Sequence, residues 1–77
     1  MDELKLKQVI GSVIGVPAES IDDDTNADTV EDWSSLTQLN LILALEEEFG
    51  VTIPDEEAAD LTSYRLIRLV VAEQVAA

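Results

Sequence analysis

Two adjacent serines, Ser34 and Ser35, stand where an acidic loop gives way to the most continuously apolar stretch of the chain. A hydroxyl at such a junction lies at the positive end of a helix dipole, among backbone N–H groups without intrahelical partners. It can cap the helix or hold a phosphate. Capping has two versions here, Ser34 with Thr37 in range or Ser35 with Gln38 as a capping box, each worth about 1 kcal/mol. Nucleophilic catalysis by either hydroxyl lacks a base. The sequence contains no His and no Cys, which excludes disulfides, thiolate or imidazole metal sites, Cys nucleophiles and any Ser–His pair. The run Glu46-Glu47-Glu48 sits on a helix surface with no sign of a cleft to pair acid with base. No residue is assigned a catalytic role, and the chain is not read as an enzyme.

Asp22, Asp24, Asn26 and Asp28 occupy the first, third, fifth and seventh places of an EF-hand-like loop. The pattern breaks where such a loop needs a Gly, at Ala27, and where it needs a bidentate Glu, at Trp33. No metal ligand is assigned, and these acids are expected to attract divalent cations only by screening.

Of the 77 residues, 17 are acidic and 4 basic, for a net charge of -13. The bases are Lys5, Lys7, Arg65 and Arg68, so no positive charge occurs from Gln8 to Tyr64 while 14 of the acids do. Such a surface repels nucleic acid phosphates and anionic lipid and steers basic protein patches toward itself. With 47% apolar residues the chain is too hydrophobic for a disordered acidic tail. Met1-Asp2-Glu3 lacks the basic-then-apolar layout of a signal peptide, and no apolar run approaches the roughly 18 residues of a membrane span. The expectation is one monomeric, cytoplasmic domain over residues 1–77.

The serine pair must be held by helices, and the hydrophobic spacing supplies them. Leu6, Val9, Ile10, Val13 and Ile14 follow amphipathic helical spacing, with Asp2 as N-cap and Gly15 then Pro17 as the stop. Gly11 lowers helix propensity by roughly 1 kcal/mol against Ala, so burial must carry this helix. Pro17 to Trp33 forms a long connection, rich in turn formers and pinned to the core by Ile21, Val30 and Trp33. A second helix runs from Ser35 to Phe49 and stops at Gly50. It bears two stripes: Gln38, Leu41, Ile42, Leu45 and Phe49 on one, and Leu36, Leu39 and Leu43, leading to Glu46 and Glu47, on the other. The second stripe is either wrapped by other helices or shown to a partner. Val51 to Pro54 is an extended connector, followed by a short helix over Asp55 to Asp60 with Pro54 in its first turn. Thr62 or Ser63 caps a last helix carrying Leu66, Ile67, Val70, Val71 and Val75. Three long helices and one short, with a long first loop, make an all-α four-helix bundle.

Trp33-Ser34-Ser35-Leu36, followed by Leu43-Ala44-Leu45-Glu46-Glu47-Glu48-Phe49-Gly50-Val51 and Ile53-Pro54-Asp55, resembles the acyl carrier proteins over nearly the whole chain. The family signature is Asp-Ser-Leu, whose Ser receives 4'-phosphopantetheine from coenzyme A, and on this sequence that Ser is Ser35. The resemblance implies an acyl or aminoacyl group held as a thioester on the arm, which supplies the thiol a Cys-free chain lacks. It further implies shelter for the cargo in the apolar interior. Leu36, Thr37, Leu39, Asn40, Leu43, Glu46 and Glu47 are then expected to dock on a phosphopantetheinyl transferase and on acyl-loading and acyl-transferring enzymes with basic patches.

Two departures from the family stand out. Ser34 replaces the signature Asp, keeping the cap and removing a charge shown to the transferase, while Thr37 and Asn40 stand where fatty-acid-synthesis carriers have acids. Trp33 resembles the Trp of free-standing carriers of specialised pathways. Fatty acid, polyketide, aminoacyl and surface-polymer pathways all use such carriers. The competing reading is an unmodified acidic interaction module that keeps the carrier fold.

Overall fold

The computed structural model describes residues 2–76; the two ends of the expected 1–77 domain, Met1 and Ala77, lie outside the described residues. The order is α1 (Glu3–Ile14), a 3-10 turn (Ala18–Ser20), α2 (Ser35–Phe49), α3 (Asp55–Ala58) and α4 (Tyr64–Ala76). This is the expected all-α arrangement of three longer helices and one short, with a long first loop. The 3-10 turn inside that loop was not foreseen.

Helix α1 begins where the Asp2 carboxylate accepts the Lys5 N–H at 3.2 Å. Helices α1 and α2 both end on a glycine in the left-handed region, Gly15 at φ 79° and Gly50 at φ 65°, which L-residues adopt only with strain. Gly11 has a different reason to be glycine. A Cβ there would lie 2.5 Å from the Val16 carbonyl oxygen and 3.4 Å from the Ile21 side chain. The propensity lost inside α1 is therefore the condition for the chain to fold back tightly after it.

Leu6, Ile10 and Ile14 of α1, Leu41, Ile42 and Leu45 of α2, and Tyr64, Ile67 and Val71 of α4 meet in one core. The apolar stripe on α4 is narrower than its spacing suggested. Leu66 and Val75 are exposed, and the buried face runs from Tyr64 through Ile67 to Val71. Tyr64 donates its hydroxyl to Glu3 at 3.2 Å, and Arg68 reaches Glu3 at 3.5 Å and Asp23 at 3.1 Å. One basic residue thus ties α4 to the start of α1 and to the loop.

The loop is anchored along its length. Ile21 and Trp33 are buried and Val30 is half-buried. Its middle is stitched to the approach to α4 by Ala27 N–H to the Thr62 carbonyl at 2.8 Å and Tyr64 N–H to the Thr25 carbonyl at 2.9 Å. The EF-hand-like spacing serves this path. Asp22 accepts the Asp24 N–H at 2.9 Å and Asn26 accepts the Asp28 N–H at 2.8 Å, each side chain closing its own turn.

Two boundaries depart from expectation. Helix α3 ends at Ala58 rather than Asp60, because Asp60 N–H and Leu61 N–H bond three residues back, to Glu57 and Ala58, and that tighter turn swings Leu61 into the core. Pro54 precedes the helix as its cap residue, in extended conformation. Of the two residues expected to cap α4, Thr62 or Ser63, Ser63 does so, accepting the Leu66 N–H at 3.2 Å.

Candidate functional site

The junction between loop and α2 divides the serine pair. Ser34 is the N-cap, in extended conformation, and its Oγ accepts the Thr37 N–H at 3.3 Å. Thr37 donates its own hydroxyl to the Asp32 carbonyl at 2.7 Å, so across the 3.2 Å between the two hydroxyls Ser34 is the donor. Ser35 is the first residue of the helix and exposed. Its hydroxyl makes no hydrogen bond among the described residues, nor do the N–H groups of Ser35 and Leu36. An oxygen free to react thus sits beside two backbone donors and the positive end of a fifteen-residue helix.

Gln38 does not form the capping box that paired it with Ser35. Its Oε1 accepts the Trp33 indole N–H at 2.6 Å, and its Nε2 donates to the carbonyls of Ala58 and Leu61, both at 2.8 Å. One side chain therefore joins the end of the loop, α2 and the exit of α3. The signal for it was a single polar residue in the otherwise apolar stripe of α2 that faces the core.

The second stripe of α2 is open. Leu36, Leu39 and Leu43 are 68, 57 and 55% exposed. At about 100° per residue they share an arc of roughly 120° with Asn40, Glu46 and Glu47. Asn40 and Glu47 are exposed as well. Glu46 is half-buried, and its carboxylate accepts the Ile53 N–H at 3.0 Å, so it braces the connector from the edge of the arc. Thr37 stands off the arc, half-buried beside Val13, Ile14 and Asp32. The structure brings five of the seven expected docking residues onto one open face and gives Thr37 and Glu46 bonds of their own.

Charge follows the same division. Lys5 pairs with Glu48 at 3.9 Å and lies 5.3 Å over the Phe49 ring, Lys7 lies 5.5 Å over Tyr64, and Arg68 binds Glu3 and Asp23. No base occurs on α2 or α3, so the acids Glu47, Asp55, Glu56 and Glu57 are uncompensated along that side. A partner presenting bases around an apolar centre is the complement.

A protein family described as "Phosphopantetheine attachment site" matches residues 4–68. The chain belongs to that family. Phosphopantetheine-attachment domains are carriers and not catalysts. The residues at the head of α2 would fit such a group: an exposed Ser35 hydroxyl, two N–H donors without partners among the described residues, and open surface on either side. No helix of the described residues is long and apolar enough to cross a membrane.

Proposed function

We propose that Ser35 carries 4'-phosphopantetheine and that the domain presents an acyl or aminoacyl group, held as a thioester on that arm, to a series of enzymes. The observation that carries the reading is the division of labour at the α2 N-terminus. Ser34 takes the cap, and Ser35 keeps an unbonded, exposed hydroxyl one residue further on. The Ser35 oxygen forms a phosphodiester with the pantetheine phosphate of coenzyme A, adenosine 3',5'-bisphosphate leaves, and the hydroxyl proton passes to a base of the transferase. The free N–H groups of Ser35 and Leu36 then face the phosphate. The arm brings a thiol for thioester chemistry.

The docking face is the arc of Leu36, Leu39, Asn40, Leu43 and Glu47, with Glu46 at its edge and Thr37 beside the attachment point. Its partners are a phosphopantetheinyl transferase and acyl-loading and acyl-transferring enzymes whose basic residues surround an apolar centre. Incubation with coenzyme A and a broad-specificity transferase, followed by intact mass, tests the assignment. The expected result is one added arm on the wild type and none on Ser35→Ala. An arm on Ser35→Ala, or none on either protein, overturns it, the latter in favour of an unmodified acidic interaction module.

A further inference from the structure

We infer that Gln38 latches the way from Ser35 into the helical core, so that cargo attached at Ser35 rides on the surface of this domain instead of between its helices. The inference rests on Ser35 as the attachment point. Two surface gaps adjoin that residue. One, of about 400 Å³, lies between Trp33, Gln38, Ala59 and Thr62; the other, of about 250 Å³, runs along Leu39, Ile42, Asp55 and Ala58. Gln38 lines both and stands between them and the buried side chain of Leu61, while Ile42 forms part of the floor of the second gap.

That wall is fastened on three sides. The Trp33 indole N–H at 2.6 Å and the carbonyls of Ala58 and Leu61 at 2.8 Å occupy both protons of the Gln38 amide and one lone pair of its oxygen. A chain passing inward must displace the amide and leave the indole N–H and the Leu61 carbonyl unpaired in a partly dry site, with the Ala58 carbonyl keeping only the Leu61 N–H, whereas a chain lying outward breaks none of these bonds. Trp33 is itself buried and closes the same side. Gln38 is thus a specificity-determining residue that sets where cargo lies, and removing its amide opens the interior to apolar chains.

The test avoids enzymatic modification. Because the sequence has no Cys, Ser35→Cys carries a unique thiol. Alkylation with butyl, octyl or dodecyl iodide forms an S–C bond, releases iodide and gives the thiol proton to buffer. A failure of the transferase at Ser35 counts against the carrier reading and leaves this experiment standing. The single tryptophan is a built-in reporter, since the Trp33 indole N–H resonance senses its bond to Gln38. With Gln38 present, the indole resonance, the Leu45 and Leu61 methyl resonances and the melting temperature are expected to stay constant as the chain lengthens. With Gln38→Ala added, all are expected to move progressively with chain length, the melting temperature upward. Should that variant not fold, Gln38→Met keeps the side-chain length without the three bonds. Methyl shifts that grow with chain length while Gln38 is present, or their absence in a folded Gln38 variant, overturn the inference.

Discussion

Ser34 accepts the backbone N–H of Thr37 and returns its own proton to the Thr37 hydroxyl, closing the first turn of α2 in both directions. Because Ser34 does this, Ser35 is not needed to hold the helix together. Ser34→Ala is expected to lower stability by about 1 kcal/mol while leaving the Ser35 hydroxyl in place. Ser34→Asp keeps a cap of equal rank and adds a negative charge at the helix N-terminus. It is expected to leave stability unchanged or raise it by a few tenths of a kcal/mol. If the missing signature charge slows the transferase, the same substitution speeds arm transfer to Ser35. Urea melts and an initial-rate mass assay on the two variants separate the cap from the charge.

The exposed leucines and the buried ones on α2 should respond oppositely to substitution. Leu39→Gln and Leu43→Gln remove apolar surface already in water, so stability is expected to change by no more than about 0.5 kcal/mol. Binding to a transferase should weaken by about 5-fold or more for each if these are central contacts. Leu45, fully buried one turn away, gives the contrast: Leu45→Ala should cost about 2–5 kcal/mol. Denaturant titrations beside affinity measurements would expose a docking role that is only a folding defect.

Tyr64 gives the fold an alkaline limit. Burial first, then the neighbouring Glu3 carboxylate, raises its hydroxyl above the ordinary value near 10, against the smaller opposing pull of Arg68. The folded state therefore holds the proton more tightly than the unfolded chain. The stabilisation is complete below the unfolded value, about 10, and is lost as pH rises through the higher folded value. Thermal melts above pH 10 should show this loss, and Tyr64→Phe, with no proton to release, should flatten that part of the profile.

With a net charge of -13 and three of its four bases already engaged by acids or aromatic rings, the domain repels itself. Raising salt from 0.01 to 0.1 M shortens the screening length from about 30 to about 10 Å. The melting temperature is expected to rise across that range, and to rise further with magnesium at equal ionic strength. A melting temperature flat in salt would show that the acids lie too far apart to matter.

Much of the architecture was legible locally. The glycines after Ile14 and Phe49 mark the ends of α1 and α2 because only a left-handed residue turns the chain there, and Gly15 and Gly50 take that conformation. The division between Ser34 and Ser35 was legible too, since a cap and the first helical residue differ by one position in a known pattern. Gln38 was misread for the opposite reason. Its three partners lie 5, 20 and 23 residues away, and no periodicity in α2 reveals which carbonyls its amide will meet.

Gly11 belongs with Gln38. Its place in a helix looked like a weakness until the Val16 carbonyl was seen 2.5 Å from where a Cβ would be. Glu46 likewise joined an acidic run in the sequence and became, in the fold, the acceptor for Ile53. The sequence by itself determined the helices, the stops of α1 and α2, the excess of acids and a serine pair at the head of α2, because these depend on residues within a turn or two of one another. Only the tertiary structure decided which stripe of α2 faces water, where α3 must stop, and that Gln38 stands between Ser35 and the core, because each is set by groups that folding alone brings within hydrogen-bond or van der Waals reach.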